Sequence, residues 1–465
     1  MESFRPYWYD QALKEEGEPQ ANPLTEEISA DVCIIGGGYT GLWTAILLKD
    51  QQPELNIVII EQKLCGYGAS GCNGGCVLTL ATKYLSLKKF YGEAEARRLV
   101  LASEAAVGKI KDFTEQYDID CDLRIDGALY IATNQSQLGA MDPVMAALDE
   151  KGINSWRNTP LDQAQVFAAT DEIFEAFFSP KAGSAQPAKL VRGLARVARE
   201  KGIRIYEGTP MKNIVESHPP TVITEKGSIT AKKVVVAINA WMAGKYKKFE
   251  RTMAVVSSDM GITEPVPEIL EELKLHHGAA ICDSRIFVHY FHTTSDGRIL
   301  LGKGGNTFAF GSKMIPAFFK ASKYRDQVKN ALVRFYPKLK DVKIEQSWTG
   351  GSDRTTTGFP IFGNFNGNPN IHYGFGYSGN GVVQTYLGGQ ILTSLCLNRD
   401  DQWSNAGFVG GPLGKFPPEP IRWLGAMTVR NAIRRKENAE DANKKPGKIN
   451  NYLATFAKAA GKADK

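Results

Sequence analysis

The stretch from Asp31 to Glu61 reads DVCIIGGGYTGLWTAILLKDQQPELNIVIIE. An apolar run at residues 32–35 passes directly into the turn GGGYTG at residues 36–41, and an apolar helical pattern follows. A second apolar run, residues 56–60, ends at Glu61. Strand, glycine-rich turn, helix, strand and acid in this order predict a dinucleotide-binding βαβ unit.

Each glycine of this turn has a separate task in such a unit. Gly36 permits the tight turn, Gly38 lets the backbone approach a pyrophosphate, and Gly41 lets the helix pack against the strand. The N–H groups at the start of the helix face the anion, and Glu61 can accept hydrogen bonds from ribose hydroxyls. The alternative is a glycine-rich turn without a ligand, which the complete surrounding pattern disfavours.

The composition is that of a globular protein with more than one domain. The chain has 465 residues, whereas single cores stop growing at about 250–300 residues. Neither a membrane span nor a basic-then-apolar signal pattern is present in the sequence, so we expect a cytoplasmic location. The seven cysteines are scattered without flanking histidines, which favours reduced thiols over metal ligation, and no metal is expected.

The whole chain has a net charge of +6, and its basic residues concentrate near the C-terminus. The basic residues from position 430 onward are Arg430, Arg434, Arg435, Lys436, Lys444, Lys445, Lys448, Lys458, Lys462 and Lys465. A basic tail can contact nucleic acid or acidic lipid. Acidic residues interrupt this tail and no aromatic-rich binding module accompanies it, so we expect a solvated surface segment and no nucleic-acid partner.

The first half of the chain alternates between helix and strand patterns. Amphipathic helices are predicted between about residues 83 and 117, and a helix-rich stretch extends to about Phe178. A periodic helix from Gln186 to about Lys201 leads into a strand at residues 203–206. A helix followed by a strand is what a returning parallel sheet requires.

The second half shows a different pattern and then a second glycine-rich turn. From about Arg251 to Gln346 strands alternate with turns, such as the apolar run at residues 286–291, and this predicts an antiparallel sheet. The turn GFGYSGNG at residues 374–381 then enters an apolar helix. A helix N-terminus presents partial positive charge, which suits the negative charge that a flavin gains on reduction.

Several motifs together resemble one family. They are the turn at residues 36–41 with Glu61, the run ASGCNGG at residues 69–75, the strand end AINAW at residues 237–241, DGR at residues 296–298 with GKGG at residues 302–305, Trp348-x-Gly350, and the turn at residues 379–381. The chain resembles the flavin-dependent amine and amino-acid oxidoreductases of the D-amino acid oxidase type. The region around Tyr7-Trp8 and the segment from Pro417 to Arg435 are most similar to the gamma-glutamylputrescine oxidase-like branch.

The resemblance implies an α/β fold in which a Rossmann-like FAD-binding domain carries an inserted α+β substrate domain built on an antiparallel sheet. The expected FAD-binding domain comprises residues 28–82, 183–248 and 348–398, the substrate domain residues 83–182 and 249–347, and the extensions residues 1–27 and 399–465. FAD would lie extended, with its ring between the two domains.

The resemblance also implies the residues that hold FAD. They are Gly36, Gly38, Tyr39, Thr40, Gly41, Glu61, Gln62, Gly68, Ala69, Ser70, Asn73, Gly74, Gly75, Met211, Asn239, Trp241, Gly350, Gly379, Asn380, Gly381 and Val382. The expected reaction is oxidation of the C–N bond of a small amine or amino acid, with hydride transfer to flavin N5 and hydrolysis of the resulting imine.

Two departures from the family pattern limit this implication. Where sarcosine oxidases carry a lysine and a flavin-linking cysteine, the matching positions are Val383 and, approximately, Ser347. FAD attachment is therefore expected to be non-covalent. The oxygen-activating lysine of those oxidases also has no counterpart near Phe287, so the electron acceptor is either dioxygen or another carrier.

The candidate catalytic residues are Tyr290, His292, Trp348 and Arg354. The two aromatics can enclose an alkylammonium group, although buried aromatics are more often core. His292 can act as a base or orienting donor, although a single histidine in a strand is more often structural. Arg354 can pair with a substrate carboxylate through its planar guanidinium, or it forms a surface salt bridge.

Two other functions remain open from the sequence. A nicotinamide-dependent dehydrogenase would use the same N-terminal unit, but it would not explain the run at residues 69–75 or the turn at residues 379–381. A flavoprotein acting on nucleic acid would use the basic tail.

Overall fold

The computed structural model describes residues 4–460, 463 and 464, with side chains for all of these except residues 458–460. Lys462 and Lys465 of the basic tail lie outside the described residues, as does the side chain of Lys458. The strands are β1 (Glu27–Ile35), β2 (Ile57–Ile60), β3 (Cys76–Val77), β4 (Ala128–Ala132), β5 (Arg157–Asn158), β6 (Glu175–Ser179), β7 (Gly183–Ser184), β8 (Arg204–Tyr206), β9 (Asn213–Val215), β10 (Thr221–Ile223), β11 (Ser228–Val236), β12 (Met253–Thr263), β13 (Ala280–Asp283), β14 (His289–Thr293), β15 (Ile299–Phe308), β16 (Ile344–Thr355), β17 (Ile361–Asn364) and β18 (Ile371–Phe375). The α-helices are α1 (Tyr7–Glu15), α2 (Tyr39–Gln51), α3 (Ala69–Cys72), α4 (Tyr84–Tyr91), α5 (Glu93–Gln116), α6 (Asp142–Glu150), α7 (Leu161–Ala168), α8 (Pro187–Glu200), α9 (Trp241–Lys245), α10 (Pro267–Leu273), α11 (Arg325–Phe335), α12 (Gly381–Cys396), α13 (Ile421–Asp441) and α14 (Lys448–Ala454).

The first sheet has a parallel centre in the order β18-β11-β1-β2-β8, with β17 antiparallel at one edge and the β9–β10 hairpin attached to β11. Ile35 of β1 lies opposite both Ile60 of β2 and Val236 of β11. These central strands are covered on both faces, which explains why their sequences are continuous apolar runs. The predicted α/β class is confirmed.

The first and last helices of this sheet pack against each other over their lengths. A Cβ atom built on Gly389 of α12 would lie only 2.9 Å from the Cβ of Trp43 on α2, so a glycine is needed where the two helices cross. Because α2 packs between this helix and the sheet, it is buried on almost every side and has no distinct polar face.

The second sheet has eight strands in the order β16-β12-β15-β14-β13-β4-β6-β5. Its neighbours are antiparallel, as predicted, except for the parallel pair β13 and β4. Strand β16 pairs with β12 from Ile344 to Thr355 and therefore runs across the expected domain boundary at residue 348. The division into domains remains a prediction.

Three local expectations differ from the structure. The strand expected at residues 286–291 begins only at His289, because the Asp283 carboxylate accepts hydrogen bonds from the backbone N–H groups of Arg285 and His289 and holds the intervening residues in a turn. The stretch expected to be helix-rich as far as Phe178 ends in β5 and β6, which join the second sheet. The region from Arg251 to Gln346 also contains α10 and α11.

Both chain ends pack on the body of the protein. Trp8 of α1 is buried, with its ring 6.2 Å from that of Trp348 and 6.4 Å from that of His292. The basic C-terminal region is not the wholly solvated segment predicted, because Ile433 of α13 and Ala454 of α14 pack against Phe287. Within the described residues, no helix is long and apolar enough to cross a bilayer. All seven cysteines are buried.

Replacing Gly41 by alanine should destabilise the protein, because the added Cβ would lie 2.0 Å from the carbonyl oxygen of Gly36. The expected loss is about 2 kcal/mol or more of unfolding free energy, as for other overpacked cores. Urea unfolding measures it. The matched control is Gly108→Ala in α5, where a Cβ meets nothing within 4 Å. This control should gain roughly 0.5–1 kcal/mol from helix propensity. Equal behaviour of the two variants would contradict the packing argument.

Candidate active site

One large cavity lies between the carboxyl-terminal edge of the first sheet and the face of the second. Its volume is about 1790 Å³ including its open mouth. Open α/β sheets bind ligands at this edge, where strands end and helices begin. The expected cofactor residues that line it are Gly36, Gly38, Tyr39, Thr40, Glu61, Gln62, Gly68, Ala69, Ser70, Asn73, Gly74, Met211, Asn239, Trp241, Gly350, Gly379, Gly381 and Val382.

The start of α2 faces this cavity. Its N-cap is Gly38, which has no side chain, and Ser70 Oγ accepts from the N–H of Tyr39 at 3.0 Å. Gly36 has a φ of 115°, and a Cβ on it would lie 2.5 Å from the carbonyl oxygen of Ala237. The turn can therefore carry no side chain at Gly36. The N–H groups of Gly36, Gly37 and Tyr39 donate to protein acceptors, and the start of α2 presents its partial positive charge to the cavity.

Glu61 lies at the end of β2, beside this turn. Its Oε2 accepts from the N–H of Gly37 at 2.9 Å and its Oε1 from the N–H of Lys63 at 3.0 Å. Burial raises the pKa of this carboxyl group, and the two backbone donors act against the rise. The carboxylate is thus held in one orientation at the cavity wall with lone pairs left for further donors.

The loop at residues 69–75 crosses in front of α2 and is stiffened from within. The Asn73 side chain donates to the carbonyl oxygens of Ala69 and Ser70 and accepts from the N–H of Gly75. Gly74 lies beneath the ring of Tyr290, where a Cβ would be 2.1 Å from a ring carbon. The ASGCNGG run is therefore a preformed loop whose glycine lets an aromatic ring rest on its backbone.

The turn before α12 is held by a buried network. Asn239 donates to Asp353 at 2.9 Å and accepts from the N–H of Gly376 at 2.9 Å, while Asp353 also accepts from the N–H of Ser378 at 2.7 Å. Asn239 thus lines the cavity, but its side-chain hydrogen bonds hold the turn in place. The network directs the start of α12 at the same cavity that α2 faces.

Two of the four candidate catalytic residues line the cavity. Tyr290 hydrogen-bonds Ser258 through its hydroxyl group at 2.7 Å. Arg354 donates through Nη1 to Ser352 Oγ at 2.6 Å and to the carbonyl oxygen of Asp353 at 2.7 Å, and these are its hydrogen bonds within the described chain. Burial lowers the pKa of Arg354, and its guanidinium lies against the backbone of Gly379.

Among the described residues, no carboxylate forms a salt bridge with the guanidinium of Arg354. The nearest acid in the sequence, Asp353, directs both carboxylate oxygens toward Asn239 and Ser378. The surface salt bridge considered for Arg354 is therefore not formed among the described residues. A half-buried cation at a cavity wall is instead a strong site for an anionic group.

His292 and Trp348 lie behind the wall of the cavity and not in it. The Nε2 atom of His292 is 3.0 Å from the carbonyl oxygen of Gly74, and Trp348 donates through Nε1 to the carbonyl oxygen of Cys72 at 2.9 Å. Burial lowers the pKa of His292, and the carbonyl oxygens of Thr293 and Gly74, which its two ring nitrogens contact, act against that fall. Since neither side chain lines the cavity, we reinterpret both as residues that position the loop at residues 69–75.

Three expected cofactor residues also stay off the cavity surface. Gly41 packs against Gly36, Gly75 packs against Ala185, and Asn380 donates to the carbonyl oxygen of Thr79. They shape the turns that carry the lining residues.

Sequence reasoning missed several lining residues on the second sheet. Ser258 and Met260 of β12 both line the cavity, as does Val288. Ser258 and Met260 stand two residues apart on one strand, so a period of two in that strand was the available signal. Tyr377 was also missed, although its hydroxyl accepts from Thr40 Oγ1 at 2.8 Å.

Replacing Trp348 by phenylalanine should destabilise the protein, because the carbonyl oxygen of Cys72 loses its buried donor. An unsatisfied buried group costs about 1–3 kcal/mol. The matched control is Trp156→Phe, since Trp156 is equally buried but its Nε1 has no hydrogen-bond partner in the described chain. Thermal unfolding of both variants measures the difference, and a larger loss for Trp156→Phe would contradict the assignment.

Comparison with known proteins identifies the family. The family model described as FAD dependent oxidoreductase, DAO, matches residues 31–395. Gamma-glutamylputrescine oxidoreductase of Escherichia coli is 30% identical over 408 residues, which cover 87% of this chain and 92% of that protein. A probable oxidoreductase OrdL of Haemophilus influenzae is 28% identical over 87% of this chain and 90% of its own length.

Solved structures show the same fold. Glycine oxidase from Geobacillus kaustophilus superposes with a TM-score of 0.68 at 20% identity, covering 82% of this chain and 98% of that one. L-proline dehydrogenase from P. horikoshii superposes with a TM-score of 0.66, also at 20% identity, over 81% of this chain and 94% of its own.

The cavity fits the cofactor of this family. Two helix N-termini, a carboxylate at the end of β2 and a glycine-bearing loop meet at its wall, as an extended dinucleotide requires. The nicotinamide-dependent alternative does not agree with the family match. The chain is an enzyme that belongs to the DAO family of FAD-dependent oxidoreductases.

Proposed function

We propose that this enzyme oxidises the C–N bond of a small amine or amino acid that carries a carboxylate, with FAD bound non-covalently. The observation that carries the proposal is a single cavity with a preformed dinucleotide cradle at one part of its wall and the unneutralised Arg354 beside Tyr290 at another. The amine and amino-acid relatives support the substrate class. When bound, FAD would supply the two-electron acceptor for hydride transfer from the α-carbon of the neutral amine to N5, and the imine product would hydrolyse.

The residues of the chain hold FAD in its place. The start of α2 with Gly36 and Gly38 receives the pyrophosphate, and Glu61 receives ribose hydroxyl groups. Gly379, Gly381 and the start of α12 face the pyrimidine edge, where the helix dipole stabilises negative charge. The other expected cofactor residues that line the cavity keep that role in this proposal, while Gly41, Gly75 and Asn380 shape the turns that carry them.

Non-covalent attachment agrees with the chemistry of a thiol at the cavity wall. Cys72 lines the cavity, but burial raises its pKa to about 12, so it is a neutral thiol at pH 7. A thiolate is the form that attacks an electrophile. Cys72 is therefore a packing residue beside Gly350 and not a flavin-linking nucleophile.

The substrate is oriented between the two cavity-lining candidates. Arg354 holds the substrate carboxylate, and the Tyr290 ring, fixed by Ser258 and by the backbone of Gly74, presents an apolar wall to the carbon that is oxidised. Burial raises the pKa of Tyr290 above its ordinary value, so its hydroxyl stays protonated and donates or accepts a hydrogen bond. Orientation of this kind supplies much of the rate in hydride transfer.

The electron acceptor is proposed to be a carrier other than dioxygen. The described lysine that lines the cavity is Lys245, whose Nζ donates to the carbonyl oxygens of Met211 and Lys212, away from Tyr290. Phe287, where the expected alignment would put an oxygen-activating lysine, packs against Ile433 of α13.

The first experiment is the absorption spectrum of the purified chain, followed by anaerobic bleaching with polyamines, glutamylated amines, N-methyl amines and aminophosphonates. A yellow protein that is bleached by a carboxylated amine is expected. Oxygen uptake and reduction of an artificial dye, followed in parallel, identify the acceptor class. A colourless protein that does not take up FAD on reconstitution would contradict the proposal.

Glu61→Gln should weaken FAD binding, because the neutral amide loses charge-assisted acceptor capacity at the ribose. Hydrogen bonds to charged groups contribute about 1.5–3 kcal/mol, so the dissociation constant should rise roughly 10-fold or more. Quenching of flavin fluorescence on titration of the apoprotein measures it. Glu54→Gln, at an exposed acid of the same βαβ unit, is the control and should bind FAD like the wild type. Unchanged binding in Glu61→Gln would contradict the ribose contact.

Arg354→Met should raise KM for carboxylated amines and leave amines without a carboxylate almost unaffected. Loss of one partner of a buried charge pair costs about 2–5 kcal/mol, which corresponds to roughly 30-fold or more. Steady-state kinetics on paired substrates of equal length measures the ratio. Arg157→Met, at an exposed arginine, is the control. An equal loss on both substrate types would show that Arg354 acts on the fold or on FAD instead.

A further inference from the structure

Helix α14 and the 3-10 helix Thr455–Ala460 that follows it together present apolar side chains to solvent. Ile449, Tyr452 and Phe456 are 75%, 65% and 66% exposed. At 100° per residue, Lys448, Ile449 and Tyr452 of α14 fall within one arc of about 100°, and Phe456 lies beside Tyr452 in the 3-10 helix Thr455–Ala460 that follows. We call these four residues the α14 face. The rings of Tyr452 and Phe456 are 5.4 Å apart, which agrees with their lying side by side.

The opposite side of α14 holds it to the protein. Ala454 is buried against Ile433 of α13 and Phe287 of the turn before β14, and Ala457 of the 3-10 helix packs on the same cluster. The segment is therefore docked through these alanines, whereas Ile449, Tyr452 and Phe456 are exposed to solvent. Apolar side chains of this size are normally on the buried side of an amphipathic helix.

The segment that carries this face is strongly basic. Residues 442–460 contain four lysines and no aspartate or glutamate. Lys444, Lys445 and Lys448 are exposed, and none of them forms a salt bridge with another described residue. Lys448 belongs to the α14 face itself.

Neighbouring acids do not cancel this charge. Asp441 pairs with Arg285, Glu440 pairs with Lys436, and the buried Glu437 accepts from the backbone N–H of Phe287. All three carboxylates at the end of α13 are thus turned toward the protein. What faces solvent beside the apolar residues is positive.

This region is not part of the family fold, since the family match ends at residue 395. None of the residues of the α14 face lines the cofactor cavity. The face is therefore free to serve a purpose other than holding FAD.

We propose that the α14 face docks the enzyme on the surface of a bilayer that contains anionic phospholipid. Aromatic and aliphatic side chains flanked by lysines are the composition that lies in the headgroup region, with the rings and Ile449 below the phosphates and the lysines at them. A stable protein interface buries about 800 Å² on each partner, which three exposed side chains do not supply. Nucleic acid would be matched by the lysines but gains nothing from Ile449.

The test is co-sedimentation of the holoenzyme with vesicles of phosphatidylcholine alone and of phosphatidylcholine mixed with phosphatidylglycerol. We expect binding to the mixed vesicles and its weakening by added salt, because each lysine near an anionic surface strengthens binding by roughly five-fold. The variant I449S/Y452S/F456S and the variant K444Q/K445Q/K448Q should each lower the partition coefficient at least ten-fold. Both should keep the flavin spectrum and the turnover of the wild type in solution.

The matched control is Val166→Ser, which removes another apolar side chain that is 74% exposed, on α7. It should bind vesicles like the wild type. The proposal is wrong if the wild type stays in the supernatant with mixed vesicles at low salt, or if the serine variant binds them as well as the wild type does. Retention of a DNA duplex without vesicle binding, or a wild-type dimer that the serine variant converts to a monomer without vesicle binding, would overturn it in favour of another occupant.

Discussion

The cavity depends on two helices, α2 and α12, whose N-termini lie next to each other. The start of α2 and the turn before α12 are 337 residues apart in sequence and are joined by the hydrogen bond from Thr40 Oγ1 to the Tyr377 hydroxyl. Gly389 lets the same two helices pack closely further along. Because both N-termini point into the cavity, its wall carries positive potential from the backbone alone, which suits a cofactor with a pyrophosphate at one end and a reducible ring at the other.

The second sheet contributes more than a substrate wall. Its strands support the loop at residues 69–75 from behind, through Trp348 on Cys72 and His292 on Gly74. The ring of Tyr290 rests on the same loop from the cavity side. The loop is therefore held between two layers, and the residues that appeared catalytic from their types divide into those that face the cavity and those that hold its wall.

The sequence predicted the parts of this structure that depend on local pattern. The βαβ unit from Asp31 to Glu61 follows from apolar runs and glycine spacing, and the antiparallel second sheet follows from alternating strands and turns. The local sequence pattern does not determine which side chains reach the cavity. His292 and Tyr290 are two residues apart on one strand, yet only Tyr290 reaches the cavity, because the carbonyl of Gly74 occupies the space before His292. The inward turn at Asp283 and the docking of α13 on Phe287 likewise depend on partners distant in sequence.

The support of the loop at residues 69–75 by the second sheet restricts motion between the two sheets. Trp8 packs parallel to His292 and edge-on to Trp348, and this aromatic cluster links the N-terminal helix, the second sheet and the loop at residues 69–75. A hinge motion between the two sheets would have to break this aromatic cluster together with the buried hydrogen bonds of Trp348 to Cys72 and of His292 to Gly74. We therefore expect small molecules to enter and leave through the open mouth of the cavity. Rotation of side chains at its rim would admit them, without movement of one sheet relative to the other.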